Sequence, residues 1–277
     1  RRVLFRSFSA AYMADLMRKV DIDAIRMTRL NLVLDPLHGA GIGYLDGFLK
    51  RSGIACETIH ATRDVLFGGH PPEPDAEHLS ALRETMRQHG ANLGLATDGD
   101  ADRYGILDHG GEFVSPNHLL GLLIDYLATS RPWLPGKSES GWKGGVARSV
   151  ATTHLIDAVA RHHGLAVHET PVGFKYIGEL IEQDKLLCGG EESAGLTIRH
   201  HVPEKDGILA CLLAAEMVAA RRQTLAEQLE ELFLKVGAYH PGRWNVPLTE
   251  TIKASFKERS LRDYSSFEGR KVREQNR

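Results

Sequence analysis

Short apolar runs alternating with amphipathic stretches constrain this chain most. The first run, residues 30–35, ends at Pro36 and a glycine-bearing turn over 38–43. A helical pattern follows over 44–51, with Leu45, Phe48 and Leu49 on one face. Residues 55–59 read as a second strand, and 68–74 as a Gly/Pro-rich loop. Asp75 is expected to start a helix reaching about His89, with Leu79, Leu82 and Met86 spaced by three and four. Residues 93–96 and 104–107 read as further strands, and 108–111 as a hairpin turn leading into 112–114. This alternation implies an α/β layer with a largely parallel sheet. Ser115-Pro116 looks like an N-cap with proline at the first helical position and opens a second unit of the same style. Its elements are a helix to about Thr129, an exposed connection over 131–145, strands near 146–150, 166–169 and 186–188, and helices over 152–163 and 175–183. A strongly apolar helix over 206–221 and an amphipathic one over 225–236 complete it. Residues 243–248 begin something new.

The 277 residues allow about two domains of ordinary size. Hydrophobic residues at 42% and charged residues at 25% fit a folded globular chain and argue against extensive disorder. No apolar run is long enough to span a bilayer, so no membrane partner is expected. Lys+Arg at 34 against Asp+Glu at 36 leaves no global basic field, so no nucleic-acid partner is expected. Cys56, Cys188 and Cys211 cannot close into pairs and lack C-x-x-C spacing, which suits a reducing, cytoplasmic setting. Residue 1 is Arg, and the chain reads as a piece cut from something longer.

The segment Thr97-Asp98-Gly99-Asp100-Ala101-Asp102-Arg103 follows an apolar strand directly. Its three alternating carboxylates can converge on one side, where they repel one another unless a cation sits between them. All-oxygen donors suit Mg²⁺ or Ca²⁺ rather than Zn²⁺. A strand's carboxyl end is where α/β sheets collect ligands. A solvated acidic turn is the plain alternative. An EF-hand fails, because with Asp98 at position 1 Arg103 falls where glycine is required and His109 where glutamate is required. A phosphatase with Asp98 as nucleophile is a further alternative.

Three more segments carry candidate chemistry. Residues 169–178 contain Pro171-Val172-Gly173-Phe174-Lys175 between a strand and a helix, where Gly173 and Lys175 could serve a phosphate or sugar; a turn with a solvated lysine is the alternative. Cys188-Gly189-Gly190-Glu191-Glu192-Ser193-Ala194-Gly195 sets carboxylates and a hydroxyl among glycines, a donor set that suits vicinal sugar hydroxyls. His201-Val202-Pro203-Glu204-Lys205-Asp206-Gly207 precedes the apolar helix, and by itself reads as a helix cap. His162 and His163 show no ligand spacing and read as surface residues.

With these loops in this order, the chain resembles the α-D-phosphohexomutases, the phosphoglucomutase/phosphomannomutase superfamily, from about Tyr12 to Asn276. Asp35-Pro36-Leu37-His38-Gly39-Ala40-Gly41 and residues 142–155 fall in the expected order too. The Glu-Glu-Ser and Glu-Lys-Asp-Gly runs favour phosphoglucomutase/phosphomannomutase over phosphoglucosamine mutase. The resemblance implies two consecutive α/β domains, each a mixed sheet flanked by helices. It implies Mg²⁺ on Asp98, Asp100 and Asp102, with Arg103 beside a phosphoserine. It also implies that Gly173 and Lys175 lie in the loop that chooses sugar orientation, that Glu191 and Ser193 contact sugar hydroxyls, and that His201 and Lys205 contact substrate or phosphate. Ala194 stands where many members have glycine, so its backbone is expected to be less free.

The implied partners are a hexose phosphate and a hexose bisphosphate, interconverted between the 1- and 6-phosphate through a phosphoserine enzyme. The family's serine loop (Thr-Ala-Ser-His-Asn-Pro-like) and phosphate loop (Arg-x-Ser-Gly-Thr-like) do not occur in these residues. The expected organisation is therefore a linker or remnant over 1–29, a metal-binding domain over 30–110, a sugar-binding domain over 111–240 and a truncated start of a C-terminal domain over 241–277. This points to a mutase fragment that is inactive alone. A non-catalytic sugar-phosphate-binding module and a Mg²⁺-dependent phosphatase are the alternatives.

Overall fold

The computed structural model describes residues 8–131, 144–242, 247, 249–260, 266–267 and 270–271. Most of the expected connection over 131–145, most of 243–248 and residues 272–277 lie outside them. The chain divides into two units, residues 1–239 and 240–277.

The first unit opens with helices α1 (Ser9–Lys19) and α2 (Ile22–Thr28). Then come β1 (Leu32–Asp35), α3 (Leu45–Arg51), β2 (Cys56–Thr58), α4 (Ser80–His89), β3 (Leu93–Thr97), β4 (Tyr104–Leu107) and β5 (Phe113–Val114). The strands lie in the order β2-β1-β3-β4-β5. β1 is parallel to β2 and β3, whereas β4 is antiparallel to both β3 and β5. Next follow α5 (Pro116–Ser130), β6 (Gly145–Ser149), α6 (Leu155–His162), β7 (Ala166–Thr170), α7 (Phe174–Glu182), β8 (Leu186–Glu191), β9 (Gly195–Ile198), α8 (Gly207–Arg221) and α9 (Leu225–Val236). Their sheet runs β7-β6-β8-β9, with β6 parallel to β7 and β8, and β9 antiparallel to β8.

Both sheets are therefore mixed, and the parallel expectation holds only for three strands of each. They share one plan: three parallel strands joined by helical crossovers, then a fourth strand turned back by a tight loop. Parallel strands need a long crossover, while antiparallel neighbours need only a short turn. The short turns are the acidic loop (98–103) and the Glu192-Ser193-Ala194 loop, so the two chemistry-bearing segments occupy equivalent places in the two sheets.

Helix α8 explains how the sheets share a core. Every residue from Gly207 to Ala219 is buried. The helix packs on β3 and β4 of one sheet and β9 of the other. Its one buried charge, Glu216, accepts from both terminal nitrogens of Arg131 (2.6 and 2.9 Å), Tyr126 Oη (2.6 Å) and the Asp21 backbone N–H (2.9 Å). A buried carboxylate is tolerable only with such a full set of donors.

Within the stretch expected as a linker or remnant, residues 9–28 form two helices whose Leu16 and Ile25 are fully buried, and α2 packs against α8. Helix α4 starts at Ser80 rather than Asp75, because the Asp75 carboxylate accepts from the N–H groups of Glu77 (3.0 Å) and His78 (3.1 Å) and holds a separate turn first. In the second unit, α10 (Glu250–Ser260) precedes an antiparallel pair, β10 (Ser266–Phe267) and β11 (Arg270–Lys271). No helix among the described residues is long and apolar enough to cross a membrane.

Candidate functional site

The acidic loop is pinned at both ends by the pairing of Thr97 with Tyr104. Its backbone turns through Ala101, which takes the left-handed φ of 66°. That turn places one oxygen of each of Asp98, Asp100 and Asp102 within 4.8 Å of the others. Asp98 is buried, Asp102 half-buried and Asp100 exposed, which grades the cluster from core to solvent.

Arg103 doubles back on the cluster. Its backbone N–H donates to Asp98 Oδ1 (2.9 Å) and its Nε to Oδ2 (2.8 Å). Burial pushes the Asp98 carboxyl up to about 6; the Arg103 N–H opposes this, and Asp100 and Asp102 add to the rise. Nη1 and Nη2 of Arg103 reach the Glu73 carboxylate at 2.5 and 3.0 Å, and Glu73 is the chief cause holding this guanidinium charged. Glu73 was not singled out from the sequence, although a carboxylate set between Pro72 and Pro74 has little backbone freedom and could have been noticed. Three crowded carboxylates with all-oxygen donors fit a small divalent cation held by Asp98, Asp100 and Asp102. With both its oxygens hydrogen-bonded and 1% exposure, Asp98 is poorly presented as a phosphatase nucleophile.

The second hairpin faces this loop. Residues Arg103 and Gly195 form an antiparallel bridge. Lys205 lays its stem against Gly195, where an added Cβ would meet Lys205 Cδ at 2.6 Å, and its Nζ lies 2.6 Å from Asp102 Oδ2. Burial works against the charge on Lys205, and Asp102 more than offsets it, so the ammonium is held above the usual lysine range. Glu191 is buried and accepts from the Gly173 N–H at 2.8 Å. Gly173 has φ 129°, a conformation that side chains rarely adopt, which explains glycine before α7. Lys175 is exposed, with Nζ 4.8 Å from the Tyr176 ring centroid, and Ser193 is half-buried in the turn.

Ala194 takes φ 69° and matches Ala101 in the other loop, so the expected restriction at this position is a left-handed residue that carries a Cβ. Glu192 was also missed: its Oε2 accepts from Ser149 Oγ and Thr152 Oγ1, each at 3.1 Å, tying the loop to the end of β6.

His201 is buried within the fold. Its ring is fully buried, with Nε2 2.7 Å from Asp206 Oδ2 and Nδ1 3.0 Å from Lys19 Nζ. Tyr12 Oη also donates to Asp206, and Asp206 caps α8 by accepting from the Leu209 N–H at 2.9 Å. The residue expected as a substrate contact thus lies between α1 and α8, with one ring nitrogen at the α8 cap Asp206 and the other at Lys19. His163, read as a surface residue, instead lies 2.8 Å from buried Asp125.

Comparisons with known proteins match the two sheets separately. The model of phosphoglucomutase/phosphomannomutase α/β/α domain II matches residues 10–111, and that of domain III matches residues 115–236. The phosphoglucomutase of Komagataeibacter xylinus is 30% identical over 263 residues, covering 90% of this chain and 46% of that protein. A solved Thermus thermophilus protein assigned as a phosphomannomutase superposes with a TM-score of 0.74 at 34% identity, covering 84% of this chain and 52% of that one. The Aspergillus fumigatus N-acetylphosphoglucosamine mutase, solved in complex with GlcNAc-6P and magnesium, shares the fold with a TM-score of 0.57 at 15% identity, over 80% of this chain and 53% of that one. The chain spans about half the length of the curated relatives it matches. With both family domains matched in order and the two hairpin loops facing each other, the chain belongs to the phosphoglucomutase/phosphomannomutase family of α-D-phosphohexomutases and carries its domains II and III.

Proposed function

We propose that this chain is the metal- and sugar-binding part of an enzyme that interconverts hexose 1-phosphate and hexose 6-phosphate through a phosphoserine and a hexose bisphosphate. The observation that carries this reading is the acidic cluster, backed by Arg103 and bridged through Gly195 to the hairpin that carries Glu191 and Ser193. Asp98, Asp100 and Asp102 would hold Mg²⁺, which when bound neutralises charge on a transferring phosphoryl group. Arg103, locked between Asp98 and Glu73, keeps a fixed positive charge beside that group. Glu191, held by the Gly173 N–H, and Ser193 would accept and donate hydrogen bonds to sugar hydroxyls. The Gly173–Lys175 turn starts α7, where free N–H groups favour an anion. Phosphoryl transfer depends mostly on positioning and charge, which suits residues set on two rigid hairpins. A reducing, cytoplasmic setting belongs to the same proposal and is supported by three free cysteines.

Calorimetric titration with MgCl₂ tests the metal assignment. Asp100 is the exposed member of the cluster, so Asp100→Ala leaves the fold intact and weakens Mg²⁺ binding by at least about tenfold, one carboxylate ligand being lost. Unchanged affinity in that variant overturns the assignment.

A further inference from the structure

At Lys205 the segment before α8 forms a salt bridge with the acidic loop. Its Nζ sits 2.6 Å from Asp102 Oδ2, an oxygen of the candidate metal cluster. The other cation at the cluster, Arg103, is committed elsewhere: Asp98 takes its Nε and Glu73 takes both terminal nitrogens, while its approach to Asp102 is 3.7 Å. Lys205 is held differently. Its stem is packed on Gly195, and among the described residues the Asp102 carboxylate is the acidic group in salt-bridge contact with its ammonium. An ammonium at the half-exposed end of a packed stem can swing without unfolding anything, whereas the forked guanidinium cannot.

We propose that Lys205 and a divalent cation compete for the Asp102 carboxylate, so that metal binding releases the Lys205 ammonium to a phosphate of the sugar ligand. A dication on Asp102 removes the reason for the ammonium to stay there. The ammonium then needs a new anion, and the segment that carries it leads into α8 beside both loops. Lys205 thus couples two sites: the metal raises affinity for the phosphate ligand, and by linkage the phosphate ligand raises affinity for the metal. This inference rests on the metal and sugar-phosphate reading above.

The coupling has a signature that a permanently available lysine lacks. Calorimetry on the full chain, with glucose 1,6-bisphosphate as probe, measures affinity with and without MgCl₂. Lys205→Met keeps the packed stem and removes the charge. The expected result is that this variant binds the bisphosphate about five- to tenfold more weakly than the unsubstituted chain when Mg²⁺ is present, and within about twofold of it when Mg²⁺ is absent. The same variant binds Mg²⁺ alone more tightly, because a competitor is gone. An equal loss of bisphosphate affinity in both conditions, or an unchanged Mg²⁺ affinity, overturns the exchange while leaving the site assignment standing. If the unsubstituted chain binds Mg²⁺ but no bisphosphate under either condition, the exchange and the sugar-phosphate reading both fall. A thermal unfolding midpoint equal to that of the unsubstituted chain confirms that Lys205→Met is folded.

Discussion

Asp125 shows what neighbours do to a buried carboxylate. Burial alone would raise it, but hydrogen bonds from His163 (2.8 Å) and Arg221 (2.7 Å) outweigh burial and hold it at about 2. A carboxyl depressed in the folded state stabilises the fold above its unfolded value of 3.8, and that contribution is lost as pH falls toward the folded value of about 2. Asp125→Asn is therefore expected to cost about 1–2 kcal/mol near neutral pH. The gap should close when urea unfolding is repeated between pH 4 and pH 2; a gap independent of pH would refute the charge argument. Asp98 goes the other way: burial outweighs what Arg103 supplies, and Asp100 and Asp102 add to the rise. The contrast also shows what a sequence reveals at this scale. The alternation of Asp98, Asp100 and Asp102 is local, so it is legible. The partners of Asp125 lie 38 and 96 positions away, and nothing local marks them.

The candidate site is made by two hairpins and a helix start. In each hairpin the reversing loop turns on a left-handed alanine, Ala101 or Ala194, and each loop follows the third parallel strand of its sheet. The start of α8 presses on the first loop: the Gly207 N–H donates to the Ala101 carbonyl at 3.1 Å. A Cβ on Gly207 would lie 2.3 Å from the Arg103 carbonyl oxygen, which is closer than real Cβ contacts come. Gly207→Ala must move either the helix or the loop, at a cost of about 1–3 kcal/mol, the range for an overpacked site. It should also weaken Mg²⁺ binding, because Arg103 and Asp102 move with the loop. A thermal midpoint and Mg²⁺ affinity both unchanged would show that the contact is slack. Strand and helix positions were largely legible because periodicity is a property of neighbouring residues. Strand β9 and helices α1 and α2 were missed, since their hydrophobic faces matter only against α8 and the sheets.

At the scale of the whole molecule, the two sheets share α8 as a common wall, and this sets their loops facing each other. The serine loop typical of the family does not occur in these 277 residues. The chain by itself is expected not to convert glucose 1-phosphate to glucose 6-phosphate with MgCl₂ and glucose 1,6-bisphosphate supplied. Turnover above the enzyme-free rate in a coupled dehydrogenase assay would refute this. The sequence by itself determined the α/β class and brought out the candidate metal-ligand triad and the glutamate–serine loop, because periodicity and contiguous spacing carry them, while the mixed sheets followed only from the family resemblance. Only the tertiary structure decided that Glu73 locks Arg103, that His201 belongs to a helix cap and that Lys205 meets Asp102. Those pairings join residues 30, 5 and 103 positions apart, and each depends on which groups remain unpaired once burial has placed the rest.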